Sequence, residues 1–293
     1  MTVSFRTIDV AGCRVFYREA GEPGAPKLVL LGGFPSSSHQ WRNLLPALAD
    51  RGFHVVAPDY PGSGYTEAPD DFTYTFDHLS EVVEQWLTGI GFTSFGLYHQ
   101  DFGGPIGNRI IGRHPDWLQW QVVQNSNAYE EGFTKVWDDI RFKLWQERTP
   151  ETEAALLPFL HTDGVKSIYL SGHKNPELIS PDNWTVDVTF LDRPGRRAIQ
   201  LDLLEDYRTN PPLYETWQAS MREHQPRTII FWGQGDVFFT PEGGDAYLRD
   251  LPNAEMHRLE SGHFAVEDHV DYIADNIARF HSEYYACGRT TNR

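Results

Sequence analysis

Over the first third of the chain, short apolar runs alternate with longer amphipathic stretches. Residues 13–18, 27–31, 54–57 and 94–98 are brief and rich in Val, Leu, Phe and Tyr, which predicts buried strands. Between them, 39–49 and 77–91 repeat apolar residues at helical spacing, with Leu79, Val82, Val83, Trp86 and Leu87 on one face of the second. Residues 117–124 predict a further strand. From about 127 to 225 the pattern changes to helical stretches, such as 137–145 and 198–208, and loops rich in Trp, Tyr, Pro and charge. Alternation then resumes with strands at 228–232 and 256–259 and a final helix at about 266–280. This order predicts an α/β fold with a mostly parallel central sheet flanked by helices. It divides the chain into a core, 1–126 and 226–293, and an inserted helical cap, 127–225. No internal repeat or low-complexity segment interrupts it.

Composition narrows the class. With 293 residues and 40% hydrophobic content the chain can bury a substantial core, as an ordinary enzyme does. A net charge of −16 argues against nucleic acid and anionic membrane surfaces, both of which call for a basic patch. Only Cys13 and Cys287 occur, so neither a disulfide scaffold nor a zinc cluster is expected. The first residues lack a signal-like apolar core and no long uncharged apolar run follows, so a soluble, cytoplasmic protein is expected. The polar tail, 287–293, is expected to fray.

The chemistry is concentrated in Tyr98-His99-Gln100-Asp101-Phe102-Gly103-Gly104. A buried strand, a glycine-assisted sharp turn and a helix start make this a nucleophile elbow, with Asp101 where the G-x-S-x-G version has serine. A carboxylate is already ionised near neutral pH and can displace a leaving group from saturated carbon, which forms an ester on the enzyme. Taken alone, an acid here serves equally well as a helix N-terminal residue. The rest of the chain shifts that balance. Strand 228–232 leads into Gly233-Gln234-Gly235-Asp236, and strand 256–259 into Ser261-Gly262-His263. Nucleophile, acid, histidine is the chain order of α/β-hydrolases, and all three lie in loops at strand C-terminal ends. His263 is expected to activate water and Asp236 to orient it; Glu130 and Asp206 are rival acids ranked below Asp236. The Gly32-Gly33-Phe34 loop and the residue after the nucleophile offer the Phe34 and Phe102 N–H groups as an oxyanion hole, although the loop in isolation also reads as a simple strand-ending turn.

Together, Gly33-Phe34-Pro35, residues 59–64, His99 to Gly103, Gly235-Asp236 and Gly262-His263-Phe264 resemble the aspartate-nucleophile branch of the α/β-hydrolases, the epoxide hydrolases and haloalkane dehalogenases. The resemblance implies the α/β-hydrolase fold, a cap over the site, no metal, no organic cofactor, and two half-reactions through an alkyl-enzyme ester. Dehalogenases of this branch typically carry Trp after the nucleophile and often Asn in the oxyanion loop, where this chain has Phe102 and Phe34. Residues 36–43 and His99-Gln100-Asp101 are nonetheless dehalogenase-like. Epoxide hydrolases protonate the opening oxygen with cap tyrosines, and Glu205-Asp206-Tyr207-Arg208 resembles a motif supplying one. Tyr207 is therefore the expected acid, with Tyr169 and Tyr129 as candidates for a second donor. The arginine that fluoroacetate dehalogenases place after the nucleophile is absent, and the usual His before Gly-x-Pro is Gly32 or Gly33 here. The expected function is an epoxide hydrolase giving vicinal diols, with a haloalkane dehalogenase as the alternative and a hydrolase-fold receptor or non-hydrolytic cyclase as the third. The substrate is expected to be a small apolar electrophile. Trp137, Trp145, Trp184 and Trp217 suggest an apolar pocket, with a core role equally open. The sequence is silent on oligomeric state.

Overall fold

The computed structural model describes residues 1–288. Eight strands form one sheet: β1 (Ser4–Val10), β2 (Cys13–Ala20), β3 (Lys27–Leu31), β4 (His54–Pro58), β5 (Phe95–Gln100), β6 (Leu118–Gln124), β7 (Thr228–Gly233) and β8 (Glu255–Leu259). Their order is β1-β2-β4-β3-β5-β6-β7-β8. Pairing is antiparallel for β1–β2 and β2–β4 and parallel from β4 to β8. Strands β4, β5 and β7 are buried at every position, which is why they read as continuous apolar runs rather than alternating ones.

The helices are α1 (Leu44–Asp50), α2 (Phe76–Gly89), α3 (Gly103–Arg113), α4 (Pro150–Leu156), α5 (Thr162–Leu170), α6 (Asp182–Leu191), α7 (Arg196–Asp206), α8 (Tyr214–His224), α9 (Pro241–Asp250) and α10 (Val270–Gly288). In α2 the anticipated stripe Leu79, Val82, Val83, Trp86 and Leu87 is buried, and the Thr75 hydroxyl accepts the His78 N–H to cap the helix start. Burying each such side chain contributes about 1.5–3 kcal/mol. The core lies in two layers. One, on the side of α1 and α10, contains Trp41, Leu45, Tyr98, Trp120, Phe231 and Ile273; the other, on the side of α2, α3 and α9, continues into the helical insert between β6 and β7.

Two local readings need correction, and one strand was not anticipated. The helix expected over 39–49 is split into a 3-10 turn, Ser38–Trp41, and α1, because Pro46 lacks an N–H and sits in the first turn. The final helix starts at Val270, since the residues before it fold into turns around the Asp268 carboxylate. Strand β1 carries no alternation to betray it: it is an edge strand, largely solvated, with Phe5 at 62% exposure. Of the polar tail, 289–293 lie outside the described residues. Cys13 is buried in β2, and no described helix is long and apolar enough to cross a membrane.

The insert is tied to the sheet layer by Arg109 of α3, whose guanidinium donates to Asn210 Oδ1 (2.7 Å) and Thr209 Oγ1 (3.1 Å). Internally, Arg148 gathers Glu153, Asp202 and Glu205 at 2.6–2.9 Å.

Candidate active site

Strand β5 ends at Gln100 and the chain reverses at Asp101, whose φ of +50° lies in the left-handed region. A non-glycine residue held there costs about 1–3 kcal/mol, so the surrounding structure has to enforce it. Gly103 permits the close approach that follows: a Cβ on it would lie 2.1 Å from the Leu31 carbonyl oxygen. The turn points the Asp101 carboxylate into the space above the sheet edge, where it is only 4% exposed. Its Oδ1 accepts the Phe34 N–H at 2.6 Å, and the Phe102 N–H also donates to the carboxylate. Burial pushes the Asp101 pKa above the usual carboxylate range, while the charge of His263 and the two N–H groups favour the ionised form.

His263, from the loop after β8, directs Nδ1 to Asp236 Oδ2 at 2.8 Å and Nε2 to within 3.8 Å of Asp101 Oδ2. Asp236, from the loop after β7, is fully committed: Oδ2 also accepts Asn125 Nδ2 (2.8 Å), and Oδ1 accepts the Phe238 N–H (2.7 Å). Asn125 Oδ1 takes the Gly233 N–H at 2.8 Å, so one side chain fixes both the strand end and the acid. Burial alone lowers the His263 pKa, but Asp236, by charge and hydrogen bond, and then Asp101 raise it above its ordinary value. Phe238, Phe239 and Phe264 pack around the imidazole with ring centroids 5.1–5.8 Å away.

Asp101 and His263 floor a tight cavity of about 30 Å³, room for very few waters. Its walls are apolar, with Phe34, Phe102 and Phe238 from the sheet side and Trp137, Ile140 and Leu204 among those from the insert. A larger groove of about 660 Å³ beside α3 and α8 contains neither Asp101 nor His263. No group of three or more His, Cys, Asp or Glu side chains among the described residues converges to hold a metal ion.

The remaining expected residues are placed unequally. Trp137 lines the cavity, but its indole N–H donates to the Phe238 carbonyl at 3.1 Å. Trp145 lies behind it, its N–H on the Leu204 carbonyl at 2.9 Å. Tyr207 is buried against Phe76, Phe102, Trp137 and Trp145 and does not line the cavity as it stands. Its hydroxyl makes no well-formed hydrogen bond; burial, the neighbouring Tyr214 and Asp101 push its pKa well above 10, so it is a neutral phenol. Tyr169 and Tyr129 are not brought to the cavity. Tyr169 stacks on Phe264 at 4.2 Å and donates to Asp187 Oδ2 at 2.6 Å, whereas Tyr129 donates to Asp250 Oδ2 at 2.7 Å. Trp184 and Trp217 lie outside the cavity lining. Of the rival acids, Glu130 pairs with Arg141 and Asp206 accepts the Phe76 N–H. Gln40, Gln100 and Asn125 escaped the sequence reading. Only the adjacency of Gln100 to Asp101 signalled any of them.

A strand order with antiparallel β2 and a parallel run into β8, an elbow after β5, and acid and histidine after β7 and β8 together define a hydrolase architecture. The chain belongs to the α/β hydrolase fold family, matching it over residues 26–270, and is a hydrolase. It is 37% identical over 284 residues to an uncharacterized hydrolase of Saccharomyces cerevisiae, covering 95% of this chain and 97% of that protein. It is 26% identical to a haloalkane dehalogenase of Bradyrhizobium diazoefficiens, covering 94% and 93%. Among solved structures, a haloalkane dehalogenase of Bradyrhizobium elkanii superimposes with a TM-score of 0.78 at 21% identity, covering 98% of this chain and 100% of that one. An epoxide hydrolase of Vigna radiata superimposes with a TM-score of 0.76 at 23% identity, covering 96% and 98%. These two likenesses speak to the fold.

Proposed function

We propose that this hydrolase attacks a small apolar electrophile at saturated carbon through an ester on Asp101, and that an epoxide opened to a vicinal diol is the reaction its side chains fit best. The observation that carries the reading is the division of labour on Asp101: Oδ1 is held by the Phe34 N–H while Oδ2 faces the cavity beside His263. In the first half-reaction Oδ2 bonds to an epoxide carbon, the carbon–oxygen bond breaks, and Tyr207 protonates the departing alkoxide. Tyr207 packs directly on the cavity-lining rings of Phe102 and Trp137, and this step requires its hydroxyl to reach past them to the substrate. In the second half-reaction His263 takes a proton from water, whose oxygen attacks the ester carbonyl carbon. The negative charge that develops on Oδ1 is stabilised by hydrogen bonds donated by the Phe34 and Phe102 N–H groups, and Asp236 stabilises the imidazolium. Collapse releases the diol, whose departing oxygen takes the imidazolium proton, and the second proton of the water, left on the Asp101 carboxyl, returns to the Tyr207 phenolate, which restores both groups.

Haloalkane dehalogenation is the second reading, favoured by the relative in Bradyrhizobium diazoefficiens. Against it, Phe34 and Phe102 bring no side-chain donor for a departing halide, and the indole N–H groups of Trp137 and Trp145 are spent on backbone carbonyls. A receptor or cyclase role fits poorly with a fully oriented Asp101–His263–Asp236 set. We assign residues 127–225 as a cap domain over a core of 1–126 and 226–293, supported by a cavity lined from both, and a cytoplasmic setting belongs to the same reading.

The test is intact-protein mass spectrometry of His263→Gln after exposure to styrene oxide or to 1-bromobutane. Addition of the whole epoxide mass on Asp101 is expected. An alkyl adduct with bromide release and no epoxide adduct would transfer the assignment to dehalogenation, and no adduct from either would contradict the ester.

A further inference from the structure

Beside His263 lies a polar chain that the two half-reactions leave unused. The Gly33 N–H donates to Gln40 Oε1 (3.3 Å), Gln40 Nε2 donates to Gln100 Oε1 (3.1 Å), and Gln100 Nε2 lies 2.8 Å from His263 Nε2. Gln40 is 2% exposed and Gln100 is fully buried, so no bulk water substitutes for these partners. Two glycines make room for the chain: a Cβ on Gly32 would lie 2.7 Å from Gln40 Oε1, and one on Gly33 would lie 2.7 Å from Gln100 Oε1. Gly32, Gly33 and the two glutamines thus belong to a single packing arrangement.

The direction of the chain follows from its anchored end. A backbone N–H only donates, so Gln40 has to present its oxygen to Gly33 and its NH2 group to Gln100. Gln100 then accepts with its oxygen and turns its own NH2 group to His263. Nε2 of His263 answers with a lone pair, and Nδ1 carries the proton shared with Asp236. A proton on Nε2 would face the Gln100 NH2 group. Reversing Gln100 would set two NH2 groups together unless Gln40 also reversed, and that would set an NH2 group against the Gly33 N–H.

We propose that Gln40 and Gln100 are positioning residues, an anchored amide relay that holds His263 in the neutral tautomer with its base lone pair on Nε2. The inference rests on the proposed role of His263 as base. It answers a specific problem of this site: the charged groups facing the imidazole are Asp236 and Asp101, and both favour the imidazolium, while its remaining neighbours are Phe238, Phe239 and Phe264. The relay opposes them with an oriented donor at the one nitrogen that has to accept a proton from water. When the ester has formed, water replaces the Gln100 NH2 group at that lone pair.

The test needs no substrate. In the full chain labelled with 15N-histidine, long-range proton–nitrogen NMR reads the tautomer and protonation midpoint of each imidazole, and the His263 signals are those missing from His263→Gln. The parent is expected to show neutral His263 protonated on Nδ1 at about pH 7.5. Gln100→Leu is expected to raise the midpoint by about one pH unit, tenfold in the protonation constant. Gln40→Leu, which removes no hydrogen bond to His263, is expected to raise it by a smaller step in the same direction, an effect that loss of packing alone would not produce. An imidazolium in the parent at that pH, or an unchanged midpoint in folded Gln40→Leu, would overturn the relay. If Gln100→Leu fails to fold, the parent tautomer and Gln40→Leu still decide. Since no ester is involved, failure here is separate from failure of the adduct experiment.

Discussion

The floor and the roof of the cavity are built on opposite principles. In the floor, Asp101, Asp236 and His263 come from three loops at strand ends; the two carboxylates accept from donors such as Phe34, Asn125 and Phe238, and His263 is held by Asp236. The roof, contributed by the insert, is nearly all aromatic and aliphatic surface: the indole N–H groups of Trp137 and Trp145 are spent on backbone carbonyls, and the buried Tyr207 hydroxyl has no well-formed partner. The contrast teaches where the two kinds of information reside. In the proposed reaction, bond-making rests on preorganised polar groups at strand ends, and the choice among leaving groups on which roof atoms can be freed to meet them.

The comparison breaks most visibly if the floor is not the reacting part. Asp101→Asn is expected to slow ester formation by about 10⁴-fold or more, read by rapid-quench mass spectrometry on freshly prepared protein. Retained ester formation would remove the floor's central role. His263→Gln is expected to leave ester formation largely intact and to slow its hydrolysis by about 10²–10⁴-fold, so that the ester accumulates. The roof enters with Tyr207→Phe: opening of styrene oxide is expected to fall by about 10–100-fold while reaction with 1-bromobutane is unchanged. Equal loss on both substrates would assign Tyr207 to packing among Phe102, Trp137 and Trp145.

The smaller effects are electrostatic. The His263 pKa is raised, and only the neutral ring accepts a proton from water. Ester hydrolysis should therefore hold above that pKa and fall about tenfold per unit as pH drops below it, checked by single-turnover rates across pH. Asp187, buried between the Tyr169 hydroxyl and Ser36, has its pKa pushed up to about 8 by burial. A folded-state pKa raised above the unfolded value means that folding takes up a proton. The stability this provides is complete below the unfolded pKa and is lost as pH rises through about 8. Relative to Asp187→Asn, the parent should lose about 1 kcal/mol per pH unit between about pH 5 and 8 in denaturant titrations. A pH-independent difference would show that Asp187 is not protonated on folding.

The floor was legible in the sequence because each of its parts is local. A buried run followed by Gln100-Asp101-Phe102-Gly103, and strand ends followed by Asp236 and His263, are patterns a few residues long with a physical meaning of their own. The roof was legible only in part. The Glu205-Asp206-Tyr207-Arg208 resemblance singled out Tyr207 and the aromatic content pointed to Trp137, but nothing local shows that Asp250 and Asp187, carried by other helices, take the Tyr129 and Tyr169 hydroxyls. The glutamine relay was hidden for the same reason: Gly33, Gln40, Gln100 and His263 are strung across most of the chain and become one array only when the sheet edge closes. Edge strand β1 stayed unread because solvent on its faces erases the alternation that marks a strand.

The most direct test of the account is a single turnover in H₂18O, with enzyme in excess over styrene oxide, followed by mass analysis of the diol and of the peptide carrying Asp101. Attack by Asp101 predicts that the first diol carries an unlabelled oxygen from the enzyme and that the solvent label appears in the Asp101 carboxylate. A diol labelled in the first turnover, with Asp101 unlabelled, would mean that water attacks the epoxide directly and would contradict the ester on which the account rests.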